Sequence, residues 1–359
     1  MVLGRWIGGI LGLFSVLIRL VSQNYPSFTE VWYARGLYPA IRGILDYSIT
    51  LLPIPAFYLL LAGLLWLGWV FFKGLIKEIK GFRSRLYFCF RRLINFSGWI
   101  VFFFLFLWGY NYYRIPLYQH LSLQPAPLNT ELLLQEMAAT QAGLFHLRGR
   151  LQQDSDTIVN FWDFKDHREL LRREMKIILS DMGYSWRGMP TVKQFYPSGM
   201  MRRMGIFGIY FPFTGEGYLD PSLHPLEKSF TLAHELAHGF GITDEGEANF
   251  IAWLVCAESS DPFLKYAGEL KLFRYQLNDL HRMDRESYSQ FTENIPIAIK
   301  SDIVEIQKAN LEIRPYSLEL SRKSNDLYLK SQGIKAGVKS YAQLPMLAFA
   351  WRSKSGNSY

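Results

Sequence analysis

Two histidines and a glutamate stand in the order His234-Glu235-Leu236-Ala237-His238, which is the pattern HExxH. Histidines four residues apart on a helix project from one face, one turn apart, so both imidazoles can reach one Zn²⁺. Glu235 lies beside such an ion and can take a proton from a water bound to it. The pattern therefore predicts a metal site with His234 and His238 as ligands and Glu235 as the general base.

Three carboxylates follow at once and compete for the role of third ligand: Asp244, Glu245 and Glu247. Asp244 and Glu247 have the N-cap and N3 spacing of a capping box, in which each side chain satisfies backbone amides of the other. Glu245 is then free to bind the ion, and Asn249, four residues on, lies on the same helical face and could hold it. We favour Glu245, while Glu247 and Asp244 remain the alternatives.

The residues around HExxH also resemble two classes of zinc peptidase. The stretch HExxHxxGxxD, which ends at Asp244, is similar to the metzincin spacing, with Asp in place of the usual third His. The stretch from Glu245 to Asn249 resembles the ExxAN element of gluzincins, in which the first Glu binds zinc from a second helix. The second resemblance implies that role for Glu245.

Four segments of the chain resemble the DUF3810 family of bacterial membrane proteins, which are predicted zinc peptidases found mainly in Bacteroidota. The segments are HELAHGFGITDEGEANFIAWLVC, WGYNYYRIPL, RRMGIFGIYFPFTGEGYLDP and YLKSQGIKAGVKSY. The resemblance covers most of the chain and implies a membrane anchor, a zincin-like domain and zinc.

The first third of the chain has the composition of a membrane region. Three segments are long and apolar, near residues 6–21, 51–72 and 93–110, and aromatic residues make up 16% of the whole chain. An uncharged stretch of about 20 residues can cross a bilayer, and aromatic residues favour its interfaces. We predict three transmembrane helices within residues 1–114; a cleaved signal peptide is the alternative for the first.

A basic loop is predicted at residues 73–92, and it carries +6 of the net charge of +8. Lysine and arginine are retained on the cytoplasmic side, so this loop and the N-terminus should be cytoplasmic. Residues 115–359 then form a periplasmic domain of a protein in the inner membrane. The basic charge is confined to one loop, which speaks against a nucleic-acid partner. The two cysteines, Cys89 and Cys256, do not form a disulfide framework.

The sequence predicts that the domain at 115–359 is mostly α-helical, with an α+β arrangement that is zincin-like. Helical spacing of apolar residues predicts helices at 128–151, 166–182, 261–281, 301–310 and 318–329. Between Gly205 and Leu219, β-prone residues flank the turn Thr214-Gly215-Glu216-Gly217, which predicts a β-hairpin ahead of the metal helix. In zincins an edge strand at this place pairs with extended substrate, and an ordinary core hairpin is the alternative.

Together these features predict a membrane-anchored zinc metallopeptidase that hydrolyses peptides or proteins with metal-activated water. A donor for the carbonyl oxygen of the substrate is also needed, and five residues are candidates that spacing does not separate. These are His224, His281, Tyr210, Tyr218 and Tyr341. A zinc-binding relative without turnover, with a sensing or structural role, is the alternative function; a membrane interaction protein without metal is the third.

Overall fold

The computed structural model describes residues 6–77, 81–151, 163–184, 186 and 188–356. These residues are mostly helical, with a small mixed sheet of three strands, as the sequence predicted at this level. They form two compact units. The first holds the residues up to 115 together with 188–190 and 211–216, and the second holds 116–186, 191–210 and the residues from 217 onwards.

The first unit contains three helices that are long and apolar enough to cross a membrane. They are α1 (Ile7–Asn24), α4 (Ala56–Lys77) and α5 (Phe82–Leu107). The remaining helical segments are α2 (Pro26–Thr29), a π-helical segment (Glu30–Leu37), α3 (Tyr38–Asp46) and two 3-10 turns (Ile49–Leu51 and Gly109–Tyr113). The segment between the first two spans is therefore helical for most of its length.

The basic segment is more helical than the sequence predicted. The helix α4 continues to Lys77 and α5 begins at Phe82, so most of the predicted loop 73–92 belongs to the two helices. Residues 78–80 lie outside the described residues. Lysine and arginine are good helix formers and do not end a helix, whereas Gly81, with its φ of 96°, occupies the N-cap of α5.

The helices α1 and α5 pack against each other through small residues. A Cβ atom built on Gly98 of α5 would come under 3.0 Å from the backbone of Gly8 in α1, and one on Gly12 would meet Gly98 as closely. The side chain of Asn95 accepts a hydrogen bond from the Gly8 amide at 3.0 Å. Small residues allow this close backbone approach, as is common between membrane helices.

The turn that joins the second and third strands belongs to the first unit. Arg42 of α3 is fully buried and donates to the Gly215 carbonyl at 2.8 Å, and it also pairs with Asp46. The Ala56 amide, at the start of α4, donates to the buried Glu216 carboxylate at 2.8 Å. Hydrogen bonds to side chains of α3 and to the first turn of α4 therefore hold this turn.

The second unit carries most of each strand and the remaining helices. Its strands are β1 (Thr191–Gln194), β2 (Gly208–Phe211) and β3 (Glu216–Leu219), in the order β1-β3-β2, so β2 lies at an edge. Its helices are α6 (Leu117–His120), α7 (Thr130–Leu151), α8 (Phe164–Asp181), α9 (Met200–Arg203), α10 (Pro225–Gly239), α11 (Glu245–Glu258), α12 (Pro262–Met283), α13 (Arg285–Glu293), α14 (Ile297–Glu312), α15 (Leu318–Ser331) and α16 (Leu344–Ser355), with a 3-10 turn at Gly337–Gln343.

The helices α10 and α11 form the centre of this unit. They pack against each other and against α12, and nearly all of their residues are buried. A helix that is apolar on most sides belongs in the interior. Local chemistry sets where each begins: Pro225 occupies the first turn of α10, and Asp244 caps α11.

Two elements of the second unit differ from the sequence prediction. The helix α16 was not predicted, and Pro345 lies in its first turn, where a missing amide costs no hydrogen bond. The strand β1 was not predicted, because four residues with one lysine show no clear alternation.

Candidate metal centre

The side chains of His234, His238 and Glu245 converge on one point. The two Nε2 atoms are 3.1 Å apart, and the Glu245 carboxylate lies 3.1 Å from His234 Nε2 and 3.3 Å from His238 Nε2. The three residues are buried, each at most 8% exposed. Ligand atoms of a tetrahedral Zn²⁺ at roughly 2.0–2.1 Å lie about 3.3–3.4 Å apart, so the triangle fits such an ion closely. This buried group could hold a metal ion.

The end of α10 explains why the third side chain can reach the two histidines. The Gly241 amide donates to the His238 carbonyl and the Ile242 amide to the Ala237 carbonyl, which is the bond pattern of a Schellman motif. Gly241 has the left-handed conformation that this motif requires, with φ at 85°. The chain reverses there, and α11 begins three residues after Ile242.

The same turn sets the protonation of one histidine. The Nδ1 atom of His238 lies 2.7 Å from the Ile242 carbonyl oxygen, which can only accept a hydrogen bond. Nδ1 therefore carries the proton, and in the neutral ring Nε2 keeps its lone pair toward Glu245. This is the tautomer that a metal ligand needs.

The three competing carboxylates have different partners. Asp244 accepts from the amides of Gly246 and Glu247, as the predicted N-cap of α11. The capping box is only half formed, because the Glu247 carboxylate accepts from the Leu117 amide and not from Asp244. Glu245 contacts the imidazoles, and they hold its pKa below the usual range although burial acts to raise it. Of the three, the structure brings Glu245 to the histidines.

Glu235 lies beside this group, with its carboxylate buried against the edge strand. Its Oε2 atom has no hydrogen-bond partner in the described part of the chain. Burial, opposed by His238 and reinforced by Glu245, raises the pKa of Glu235 to about 8. A Cβ atom on Gly208 of β2 would come under 3.0 Å from this carboxylate, so only a glycine leaves room for it there. Glu235 thus has no structural partner that would occupy both of its oxygens.

Tyr341 lies next to two of the candidate ligands. The Tyr341 ring stacks on the ring of His234 at 6.3 Å between centroids. Burial and the nearby Glu245 carboxylate raise the pKa of the Tyr341 hydroxyl well above its usual value. Asn249 donates instead to the Tyr341 carbonyl at 3.1 Å and to the Tyr275 hydroxyl at 3.3 Å. Asn249 thus holds the segment that carries Tyr341, and its support of Glu245 stays a prediction.

The five candidate oxyanion donors are spread over the second unit. Two of their rings lie next to a histidine of the site: Tyr341, and Tyr210 of β2, which is 6.5 Å from the ring of His238. His224 instead caps α10, where its Nδ1 accepts from the Leu226 amide. His281 packs against Tyr288, and Tyr218 packs in the core against Phe195.

Fold and site together define the class of this protein. It is a helical protein with three candidate membrane spans and a buried His-His-Glu group that could hold a metal ion. The model of the family described as "Protein of unknown function (DUF3810)" matches residues 33–349, nearly the whole chain, and the chain belongs to that family. No curated protein and no solved structure matches the sequence.

Proposed function

We propose that this protein is a membrane-anchored, zinc-dependent metallopeptidase. The observation that carries the proposal is the convergence of three ligand atoms within 3.3 Å of one another beside a buried carboxylate without a structural role. Two histidines and one glutamate, with a position left open for water, are a typical ligand set of catalytic zinc.

Each side chain of the site has one role in this proposal. His234, His238 and Glu245 hold the ion, and Tyr341 orients Glu245. When bound, Zn²⁺ supplies Lewis-acid chemistry, polarising the scissile carbonyl and lowering the pKa of a coordinated water toward about 7. Glu235 accepts the proton that the attacking water loses and passes it to the departing amine.

The edge strand β2 supports a peptide as the substrate. It is outermost in the sheet, and its first residue, Gly208, packs directly on Glu235. An extended peptide that adds to an edge strand is fixed by backbone hydrogen bonds. Pairing with β2 would bring the backbone of such a peptide past Glu235.

The membrane spans and the basic segment support a location in the inner membrane of a bacterial cell. Lys73, Lys77, Arg83 and Arg85 lie at the facing ends of α4 and α5, and this end should stay cytoplasmic. The second unit follows α5 and would then lie in the periplasm. The substrates are accordingly peptides or proteins on that side of the bilayer.

The test of the proposal uses the full chain, purified in detergent, and a peptide library whose products are read by mass spectrometry. Glu235→Gln should retain the metal and lower hydrolysis by about 10²–10⁴-fold, because only the proton acceptor is lost. Glu258→Gln, at an exposed position near the end of α11, serves as the matched control and should leave both unchanged.

Metal analysis of the same preparations separates the possible outcomes. His234→Ala should lose the metal and the activity together, since a ligand atom is removed. Hydrolysis that survives Glu235→Gln, or that a chelator leaves intact, would contradict the proposal. Stoichiometric metal without any hydrolysis by the unaltered chain would indicate a binding or sensing role instead.

A further inference from the structure

A polar cavity of about 450 Å³ lies along α12 in the second unit. The helix α12 contributes Lys271, Arg274, Tyr275 and Asn278 to its lining, and α14 contributes Gln307. Two of these side chains are cations, and the other polar side chains can donate hydrogen bonds.

One buried carboxylate stands behind both cations. Lys271 and Arg274 pair with the same oxygen of Glu227, at 3.0 and 2.6 Å. The Glu227 side chain is 2% exposed, whereas those of Lys271 and Arg274 are 18% and 23% exposed. Two positive charges against one negative charge leave the cavity wall with a net charge of about +1. The cationic groups, and not the carboxylate, are the ones that an occupant of the cavity would meet.

The cavity begins close to the candidate metal centre. The Lys271 ammonium lies 5.3 Å from the ring centre of Phe230, and Phe230 precedes His234 by one helical turn. The hydroxyl of Tyr275 accepts from Asn249, one turn beyond Glu245. At 1.5 Å per residue, Glu227 lies roughly 10 Å from His234 along the axis of α10.

We infer that this cavity binds a carboxylate of the peptide substrate, two or three residues from the bond that is cut. The inference rests on the proposed peptidase function. An extended peptide advances about 3.3–3.6 Å per residue, which matches the separation along α10. A guanidinium group and an ammonium group together are well suited to a carboxylate. The carboxylate could be the C-terminus of a peptide or the side chain of an Asp or Glu.

The test compares matched peptides on the full chain in detergent, in two arms. One arm sets a peptide with a free C-terminus against its amide, and the other sets Glu against Gln at positions two and three residues from the cut. Binding is measured by thermophoresis on Glu235→Gln with metal, so it does not depend on turnover. We expect tighter binding of the carboxylate peptide by at least about tenfold in one arm, and that arm identifies its source. Equal binding of acid and neutral peptides in both arms would overturn the inference.

Two variants locate the effect in the cavity. Arg274→Gln removes a cation, and Gln307→Glu adds a negative charge while leaving the Glu227 pairs in place. Both should abolish the preference for the carboxylate. Arg282→Gln, on the same helix but outside the cavity lining, should keep the preference. A preference that persists in Gln307→Glu would count against this cavity.

Failure of the inference and failure of the proposed function have different signatures. A chain that hydrolyses peptides without regard to their carboxylates keeps the proposed function and loses the inference. A chain that binds acid peptides better than neutral ones but cuts neither keeps the cavity assignment and loses the peptidase.

Discussion

At the scale of residues, Tyr341 connects three parts of the candidate metal centre. Its hydroxyl feels the charge of the Glu245 carboxylate, which together with burial raises its pKa, its ring stacks on His234, and its carbonyl accepts from Asn249. Its hydroxyl also accepts from Asn325 at 3.3 Å, which fixes the position of the hydroxyl. Groups that orient a metal ligand in this way contribute to affinity without touching the ion.

Tyr341→Phe should therefore weaken metal binding by about 10–100-fold while the protein stays folded. The lost hydroxyl leaves Glu245 free to turn away from the imidazoles. Competition with a fluorescent chelator measures the affinity, and circular dichroism checks the fold. Tyr316→Phe, at a position that is 79% exposed, is the control and should leave the affinity as it was. An unchanged affinity in Tyr341→Phe would remove this residue from the site.

The residues that sequence reasoning could not assign have partners far away along the chain. Asp244 was predictable as a cap because its partners are two and three residues on. The partner of Glu247 is Leu117, 130 residues earlier, and Asn249 binds the carbonyl of a residue 92 positions later. Local spacing contains no trace of such contacts. His234 and His238 were predictable because a single helix sets their geometry.

At the scale of elements, β2 and α10 meet where a side chain would not fit. The backbone of Gly208 lies against the carboxylate of Glu235 and the methyl group of Thr231. This contact leaves the carboxylate little room to move away from the histidines.

Gly208→Ala should displace Glu235 and lower hydrolysis at least about tenfold, with the metal content retained, because the new methyl group meets Glu235 and Thr231 and none of the three ligands is among its nearest neighbours. Ile209→Ala, one residue further along β2 at an exposed position, is the control for a general loss of the strand. Peptide turnover and metal analysis of both variants check the prediction. Equal losses in the two variants would mean that the strand, and not the glycine, matters.

The packing of α1 on α5 gives a second prediction at this scale. Gly98→Ala should lower the free energy of unfolding by about 1–3 kcal/mol, since its methyl group meets the Gly8 carbonyl at under 3.0 Å. The control is Gly68→Ala in α4, where nothing lies within 4 Å of the new atom. Alanine is the better helix former there, so stability should not fall. Thermal unfolding of the full chain in one detergent compares the two, and equal midpoints would contradict the prediction.

Element boundaries were predictable where apolar spacing and caps agreed. The predicted helix at 128–151 is observed as Thr130–Leu151, and that at 261–281 as Pro262–Met283, which begins after the cap Asp261. The ends of the candidate spans were not predictable from the sequence. The loss of apolar residues shows where a helix would leave the membrane core, but it does not show where the helix ends. The basic residues after Phe72 continue α4 for another turn.

At the scale of the whole molecule, the charge pattern predicts the side of the membrane on which each segment lies. The test uses a Cys89→Ser background. On this background, Lys308→Cys should react with a membrane-impermeant maleimide once the outer membrane is made permeable. A cysteine in place of Arg85 should react only after lysis, because the basic segment is retained inside. Both positions are exposed.

The remaining native thiol should not confuse this measurement. Cys256 is fully buried in α11, and burial raises the pKa of its thiol well above the usual value, so little thiolate is present to react. The variant that keeps only Cys256 measures the background. Labelling at position 85 before lysis and at position 308 only after lysis would place the candidate metal centre in the cytoplasm. That result would contradict the proposed location.

Composition alone indicates a protein with spans and a second region, but not how the chain is shared between its units. The sequence predicted one crossing from a membrane region to a domain near residue 115. In the structure, the stretches 188–190 and 211–216 also belong to the first unit. The residues around Gly215 do not predict that this turn belongs to the first unit, because its partner Arg42 is 173 positions away.

This sharing has a consequence for any attempt to separate the second unit from the candidate membrane spans. A cut just after the third candidate span would not release an intact second unit, because the hairpin turn at 211–216 belongs to the first unit. The released piece would carry a hairpin whose tip had lost Arg42 and the Ala56 amide, with the Glu216 carboxylate stripped of that donor. The strand before that turn carries Gly208, which packs on Glu235, whereas the two histidines lie on α10, so we expect such a cut to alter the surroundings of Glu235 more than those of the histidines.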